Sequence, residues 1–344
     1  MSAGMILENC RLCARACGVN RMKNRAGRCG QTEELVIARA ALHMWEEPCI
    51  SGKEGSGAVF FVGCPLGCVF CQNREIARGR ADRDESSRAG KEKVSDRPAD
   101  EIGHRRVGQP AAEGISHQRV EQPGKIITVD RLAEIFLELQ RQKANNINLV
   151  TPTHYVPQII EAVREARKMG LRIPIVYNTG SIETPETVHL LEDTVDIFLP
   201  DLKFCGRDVA GRYANLPSYF DIATKAIGEM VRMRGEAEFD ERGMMTRGVI
   251  VRHMVLPGHT KDSKEILRYL WENFGDSIYV SIMNQYTPMP GIEKEFPELE
   301  RRVTRREYDR VVDYALELGF SNAFVQEGPT AEESFIPAFD GAGV

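Results

Sequence analysis

Three cysteines with the spacing C-x3-C-x2-C, Cys64, Cys68 and Cys71, directly follow the apolar run 58–62. The run is rich in β-forming residues and bounded by glycines, which predicts a buried strand that ends just before the first cysteine. A proline and a glycine between the first two cysteines force a tight loop. Three thiolates on such a loop can converge on one soft metal centre, and the tetrahedral iron of a cluster accepts them. Because a [4Fe–4S] cube holds four irons, three protein ligands leave one iron open for chemistry.

Two plainer explanations of these cysteines are a zinc loop and a set of buried structural thiols. Structural zinc takes four ligands, which usually stand as two separated pairs. No fourth partner stands near the three cysteines in the sequence. The spacing therefore favours an iron–sulfur cluster over zinc.

The chain has 344 residues, a formal net charge of −5 and a pI near 5.9. This charge balance favours neither nucleic acid nor an anionic membrane as the main partner. The sequence has no apolar run of about 18 residues and no secretory signal, so we expect a cytoplasmic protein. In a reducing compartment the nine cysteines are better interpreted as metal ligands than as disulfides.

A second group of cysteines, Cys10, Cys13, Cys17 and Cys29, lies in the N-terminal segment 1–50 with spacings of x2, x3 and x11. Little apolar sequence separates them, so we interpret the segment as a small fold held together by metal. Basic residues surround the thiols, and positive charge favours the thiolate form that binds metal. The spacing is compatible with zinc and with an auxiliary iron–sulfur cluster, and four unrelated reduced thiols are the remaining alternative.

The stretch 77–125 differs from the rest of the chain because it contains no aromatic residue and few large aliphatic ones. Such a composition cannot bury enough apolar surface to offset the conformational entropy of the chain. We therefore predict a disordered surface insertion. His104 and His117 leave a regulatory or metal-binding role as the alternative.

Apolar strands alternate with amphipathic helices after the insertion, which predicts a parallel sheet closed or nearly closed into a barrel. Together with 58–62 the predicted strands are 147–150, 173–177, 195–199, 248–256, 277–283 and 322–326. Six or seven strands favour a partial (β/α)6-type barrel over a full eight-stranded one. We therefore predict an α/β fold with the barrel at 51–335 and a tail at 336–344. Polar residues at several strand ends, where parallel barrels gather function, are Thr153, Asn178, Asp201, Lys203 and Arg252.

The cysteine loop resembles the signature of the radical S-adenosylmethionine (radical SAM) superfamily, C-x3-C-x-aromatic-C, with Phe70 at the aromatic position. Within the superfamily the chain is similar to uncharacterised relatives of pyruvate formate-lyase activase, over residues 8–76 and 126–335. The run Asp201-Leu202-Lys203 matches an activase motif whose acid and lysine hold SAM. The activase Gly-Gly-Glu motif, which receives the methionyl amine, is replaced here by Pro152-Thr153-His154.

The resemblance implies two cofactors, a [4Fe–4S] cluster on Cys64, Cys68 and Cys71 and SAM at the open iron. An electron from a donor such as flavodoxin or ferredoxin would cleave SAM to a 5′-deoxyadenosyl radical, which abstracts a hydrogen atom. Hydrogen-atom abstraction requires no acid–base pair, so the sequence names no catalytic residue of that kind. The side chains expected to contact SAM are Phe70 beside the adenine, and Thr153, Asn178, Asp201, Lys203 and Arg252.

The activase resemblance implies a glycyl radical enzyme as the partner, with a small molecule as the alternative substrate. Two further alternatives do without SAM. An iron–sulfur protein for electron transfer or redox sensing would need no open iron. A zinc-stapled binding protein would purify colourless, with zinc in place of iron.

Removal of one of the three cluster thiolates should abolish the cluster, because no spare protein ligand stands near them. We expect a Cys68→Ala protein to lose the iron of this site and all SAM cleavage under reducing conditions. Iron analysis and assay of 5′-deoxyadenosine check this. A Cys68→Ala protein that still cleaves SAM would contradict the cluster assignment.

Overall fold

The computed structural model describes residues 3–77, 123–326 and 337–344. The predicted insertion 77–125 lies largely outside these ranges. Its predicted edges are corrected by the structure, since Ala77 ends a helix and Lys125 begins a strand that pairs with another strand.

The α-helices of the described residues are α1 (Ala3–Glu8), α2 (Pro48–Ser51), α3 (Arg74–Ala77), α4 (Val129–Arg141), α5 (Val156–Lys168), α6 (Pro185–His189), α7 (Arg207–Ala214), α8 (Tyr219–Arg234), α9 (Thr260–Phe274) and α10 (Arg305–Leu318). The strands are β1 (Leu35–His43), β2 (Ser56–Phe61), β3 (Lys125–Ile127), β4 (Ile147–Val150), β5 (Ile175–Thr179), β6 (Ile197–Pro200), β7 (Glu238–Phe239), β8 (Met245–Met254), β9 (Tyr279–Met283) and β10 (Ala323–Val325). Short 3-10 turns lie at Arg21–Lys23, Thr153–Tyr155, Gly275–Ser277, Ile292–Lys294 and Pro297–Leu299.

The strands form one sheet in the order β10-β9-β8-β6-β5-β4-β2-β1-β3, with β7 paired to β8 in a hairpin. Neighbouring strands from β2 to β10 in this order are parallel, whereas β1 pairs antiparallel with both β2 and β3. Crossover helices connect the parallel strands, as parallel pairing requires. The predicted α/β fold with an open, partial barrel is confirmed.

Helix α4 illustrates how the sequence specifies these crossovers. The Thr128 hydroxyl accepts a hydrogen bond from the Arg131 backbone N–H and so satisfies one free donor of the first turn. The apolar residues of α4 recur at helical spacing and pack into the core. The buried ones are Leu132, Ala133, Ile135, Phe136 and Leu139. No helix in the described ranges is long and apolar enough to cross a membrane.

The structure does not separate the predicted N-terminal segment 1–50 from the barrel. Strand β1 belongs to the same sheet as the barrel strands. The described part of the tail also joins this edge, because Ala40 N–H donates to the Ala342 carbonyl at 2.9 Å and Gly341 N–H donates to the Ala38 carbonyl at 3.0 Å. A boundary at residue 50 therefore does not correspond to a break in the packing.

Candidate functional site

A cavity of about 220 Å³ lies at the carboxyl ends of the parallel strands. The loop after β2 carries the three cysteines into it, and the ends of β4, β5, β6 and β8 contribute polar side chains. Every residue predicted for the first metal site and for SAM lines this cavity: Cys64, Cys68, Phe70, Cys71, Thr153, Asn178, Asp201, Lys203 and Arg252. The structure thus brings residues from five strand ends to one place, while their individual roles remain predictions.

The loop between Cys64 and Cys71 is held in shape by backbone contacts. Strand β2 before it is buried along its whole length, and Gly67 adopts a φ of +71° that favours glycine. Val69 N–H donates to the Tyr213 carbonyl at 2.9 Å, which fastens the loop to the last turn of α7. None of the three thiols forms a disulfide within the described residues; Cys68 is buried and the other two are half-buried.

Phe70 points into an aromatic cluster as well as lining the cavity. Its ring packs edge-on against Phe204, Tyr213 and Tyr286, with centroid distances of 5.9, 6.1 and 6.2 Å. Such edge-to-face pairs fix the orientation of the ring. The aromatic position of the motif therefore anchors the cysteine loop to α7 and to the loop after β9.

Arg252 is the centre of a half-buried polar network. Its Nε donates to Asp201 Oδ1 at 3.0 Å, its Nη1 to Glu46 Oε2 at 3.1 Å and its Nη2 to Asn178 Oδ1 at 2.5 Å. Lys203 Nζ completes the network by donating to Asp201 Oδ2 at 2.5 Å. A guanidinium suits this position because its planar fork presents several donors at once.

The charges of this network shift one another's pKa values. Burial alone would raise the pKa of Asp201, but Arg252 and Lys203 lower it below its usual value. Burial would likewise lower the pKa of Lys203, and the Asp201 carboxylate raises it instead. Asp201 and Lys203 therefore form a charged pair. Burial raises the pKa of Glu46, although Arg252 opposes that rise.

Sequence reasoning did not identify the residues that the segment before α2 contributes to the site. His43, Trp45 and Glu46 line the cavity, and Asn148 Nδ2 donates to Glu46 Oε1 at 2.8 Å. These residues lie beside β2 only because β1 pairs antiparallel with it. Their positions follow from tertiary pairing, which no local pattern indicates.

Glu183 is a second residue that sequence reasoning missed. It is fully buried, and its Oε1 accepts hydrogen bonds from the hydroxyls of Thr153 at 2.6 Å, Thr179 at 2.6 Å and Tyr177 at 3.1 Å. Its Oε2 is buried without a hydrogen-bond partner among the described residues. Thr153 and Thr179 line the cavity and donate their hydroxyl protons to Glu183, so their hydroxyl oxygens can act only as acceptors toward a ligand. The Thr179 oxygen already accepts from the Ser181 N–H at 3.2 Å.

His154, from the position of the activase Gly-Gly-Glu motif, does not line the cavity. It is buried, and its Nε2 lies 2.8 Å from the Val62 carbonyl, to which it must donate. Burial and the charge of Arg21 lower the pKa of His154 to about 3. This histidine is therefore a neutral packing residue beneath the loops of the site.

The second group of cysteines lies beside the cavity rather than in its lining. Burial, and to a smaller extent the neighbouring thiols of Cys29, Cys17 and Cys10, raise the pKa of Cys13. Burial raises the pKa of Cys13 to about 12 and that of Cys29 to about 11. In the described residues no three His, Cys, Asp or Glu side chains are arranged to hold a single metal ion.

The sequence matches the family described as the Radical SAM superfamily over residues 58–270, more than half of the chain. The chain therefore belongs to the radical SAM superfamily. It is also 28% identical over 313 residues to an uncharacterized protein of Methanocaldococcus jannaschii, a match that covers 90% of this chain and 75% of the relative.

Two solved structures are similar to parts of the chain. One is a domain of pyruvate-formate lyase-activating enzyme from Bacteroides vulgatus, with 13% identity and a TM-score of 0.40, covering 54% of this chain and all of that one. The other is Streptococcus suis SuiB bound to S-adenosylmethionine, with 13% identity and a TM-score of 0.40, covering 60% of this chain and 45% of SuiB.

Membership in the family implies a [4Fe–4S] cluster and SAM as cofactors. The residues present fit both groups. Three cysteine side chains on one loop line the cavity, and thiolates are the ligands of such clusters. The buried carboxyl of Glu183 lies behind the cavity-lining Thr153 and Thr179, and one of its oxygens has no hydrogen-bond partner among the described residues. An acidic group at this place is compatible with a ligand that carries positive charge, as the sulfonium and ammonium groups of SAM do.

Replacement of Arg252 should destabilise the protein strongly. In Arg252→Gln the Asp201 and Glu46 carboxyls keep their burial but lose the guanidinium, and breaking a buried ion pair costs about 3–5 kcal/mol. Urea unfolding measures this loss. Arg242→Gln is the matched control, because Arg242 pairs with Asp240 on the surface and exposed pairs contribute little. Equal effects of the two variants would contradict the central place given to Arg252.

The buried neutral His154 should make the protein less stable in acid. Its folded pKa of about 3 lies below the ordinary 6.5, so the unfolded chain binds the proton more readily. The contribution of neutral His154 to the free energy of unfolding is therefore fully present above pH 6.5 and is lost as the pH falls toward 3. Urea unfolding at pH 7 and pH 5 should show a smaller loss in His154→Gln than in the native protein. His189→Gln, which changes an exposed histidine, should keep the native pH dependence, and an unchanged dependence in His154→Gln would refute the assignment.

Proposed function

We propose that this protein cleaves SAM reductively and uses the product to abstract a hydrogen atom from a substrate. The observation that carries the proposal is the convergence of Cys64, Cys68 and Cys71 with the Asp201–Lys203–Arg252 network on one cavity. An iron–sulfur protein that only transfers electrons needs no ligand cavity beside its cluster. A zinc-stapled binding protein would need four ligands at the first site, where the loop supplies three.

The three cysteines would hold the [4Fe–4S] cluster, and the surrounding strand ends would hold SAM. When bound, these two cofactors supply an electron and a reactive carbon centre for hydrogen-atom abstraction. The protein's own part is to position the cofactors and to keep water from the reacting atoms. Phe70 would serve this part by fixing the loop, because three aromatic rings surround it.

Buried carboxyls support a positively charged ligand in the cavity. Glu46 and Asp201 line it, and Glu183 stands behind Thr153 and Thr179. The positive charges of the cavity lining include Lys203 and Arg252, and both of these side chains form ion pairs with Asp201. The Glu183 carboxyl has no ion pair among those found in the described residues, so a sulfonium or ammonium group nearby would lower the cost of burying it. Thr153 would thus contact SAM through its hydroxyl oxygen.

We propose a protein glycine as the substrate, presented by a partner glycyl radical enzyme. Trp45 lines the cavity and is 59% exposed, so the cavity opens to solvent at the segment before α2. An open mouth of this kind suits a loop of a partner protein. The second candidate is a small polar molecule, which Gln72, Asn73 and Gln285 in the cavity lining would suit.

We also propose a second metal centre on Cys10, Cys13, Cys17 and Cys29. Support comes from their four thiols, none of which forms a disulfide within the described residues, and from the contribution of the other three to the raised pKa of Cys13. Two of them have high pKa values through burial, and a bound cation would stabilise the thiolates that burial disfavours. Zinc and an iron–sulfur cluster remain the two candidates for this centre.

The anaerobically reconstituted protein should form 5′-deoxyadenosine from SAM when reduced by flavodoxin, ferredoxin or a chemical reductant. Addition of the correct glycyl radical enzyme should produce the doublet of a glycyl radical in electron paramagnetic resonance. The Cys68→Ala protein is the control, since it lacks a cluster ligand. Absence of any SAM cleavage by a protein with a full cluster would overturn the proposed function.

The two substrate candidates give different results in the same experiment. A protein substrate predicts a glycyl radical with one partner and no stimulation by metabolites. If no candidate partner gives a glycyl radical signal while a cell metabolite accelerates 5′-deoxyadenosine formation, the small-molecule candidate replaces the glycine.

A further inference from the structure

Arg15 joins the two groups of cysteines by hydrogen bonds to backbone carbonyls. Its Nε donates to Pro65 O at 3.0 Å and its Nη2 to Leu66 O at 3.0 Å, both within the loop between Cys64 and Cys68. The same guanidinium donates to Ala214 O at 2.9 Å and to Asn215 O at 2.8 Å. One half-buried side chain therefore holds the loop between Cys64 and Cys71, called the cluster loop below, against the end of α7.

The end of α7 is a favourable place for this cation. The last carbonyls of a helix have no partner within the helix, and the helix dipole adds negative potential there. Val69 N–H of the cluster loop donates to Tyr213 O in the same turn. Arg15 thus reinforces a contact that the cluster loop makes by itself.

Arg15 also lies at the meeting point of the two cysteine groups. In sequence it stands between Cys13 and Cys17, and in space its guanidinium contacts the two residues that follow Cys64. Gly63, directly before Cys64, packs against the Cys29 carbonyl so closely that a Cβ on it would come within 2.6 Å of that oxygen. The two groups are therefore in direct backbone contact.

We propose that Arg15 is a positioning residue through which metal binding at Cys10, Cys13, Cys17 and Cys29 sets the shape of the cluster loop. The inference rests on the proposed function for the identity of the two metal centres. Metal on Cys13 and Cys17 would fix the backbone of the residue between them. A fixed Arg15 then fixes the carbonyls between the first two cluster cysteines.

The chemistry of the side chain makes the inference specific to arginine. Four carbonyls of two separate segments accept from one planar guanidinium. A lysine ammonium keeps the charge but lacks the spread of donors that reaches both segments. Arg15→Lys should therefore restore only part of what Arg15→Gln loses.

The test uses full-length protein reconstituted anaerobically, in the variants Arg15→Gln, Arg15→Lys and Arg25→Gln. Arg25 is the matched control, an exposed arginine of the same segment. Metal content, the paramagnetic resonance spectrum of the reduced cluster before and after SAM addition, and SAM cleavage are measured. Arg15→Gln should keep the second metal but change the cluster spectrum and lower cleavage about 10- to 100-fold, the range found for partners of metal ligands. Arg25→Gln should match the native protein.

A Cys17→Ala protein tests the role of the second metal independently of Arg15. It should lose metal from the four-cysteine group and show the same altered cluster spectrum as Arg15→Gln. The inference is overturned by a native cluster spectrum in Arg15→Gln, by a native spectrum in a Cys17→Ala protein that has lost the metal, or by a native protein without metal at that group. If Arg15→Gln does not fold, Arg15→Lys and Cys17→Ala decide in the same way. Failure of the proposed function is separate, because a native protein without SAM cleavage still yields the spectra and metal contents that test Arg15.

Discussion

The guanidinium of Arg252 is the interaction on which the candidate site depends. From β8 it reaches Asp201 after β6, Asn178 at the end of β5 and Glu46 before α2. Burying a charge of this kind is costly unless partners surround it, so these segments must come together for the sheet to close around the cavity. The network also orients Asp201 and Lys203, because Arg252 and Lys203 both donate hydrogen bonds to the Asp201 carboxylate. A single cation thereby ties the geometry of three strand ends to one another.

The fold and much of the candidate site could be predicted from the sequence because their signals are local. The C-x3-C-x2-C spacing after an apolar strand placed Cys64, Cys68 and Cys71 together, and the structure has them in one cavity. Alternating strands and amphipathic helices indicated a parallel sheet, whose carboxyl ends must lie on one edge. That rule alone grouped Asp201 with Arg252, which form an isolated parallel bridge and an ion pair. The predicted insertion concerns residues mostly outside the described ranges.

Other parts of the site could not be predicted, because they depend on contacts between segments far apart in sequence. Glu46 belongs to a short acidic pair with no motif around it, and its role appears only when β1 pairs antiparallel with β2 and brings it to Arg252. Glu183 lies in a loop whose sequence suggests the start of α6, yet its carboxyl turns inward to three hydroxyls. Helix α7 has a weak local signal, because it is short and contains a glycine, which disfavours helix. In each case burial and pairing outweighed local propensity.

The N-terminal segment is therefore part of the site and not a module appended to it. It supplies Glu46 to the Arg252 network, Arg15 to the cluster loop and the fully buried Arg21, which donates to the carbonyls of Thr32 and His154. Each contact removes a charge from water, and that cost is offset only when the barrel strands are already in place. The barrel in turn leaves the Pro65 and Leu66 carbonyls without the Arg15 donors until the segment docks. Because each part satisfies buried groups of the other, we expect the segment and the barrel to fold as one cooperative unit.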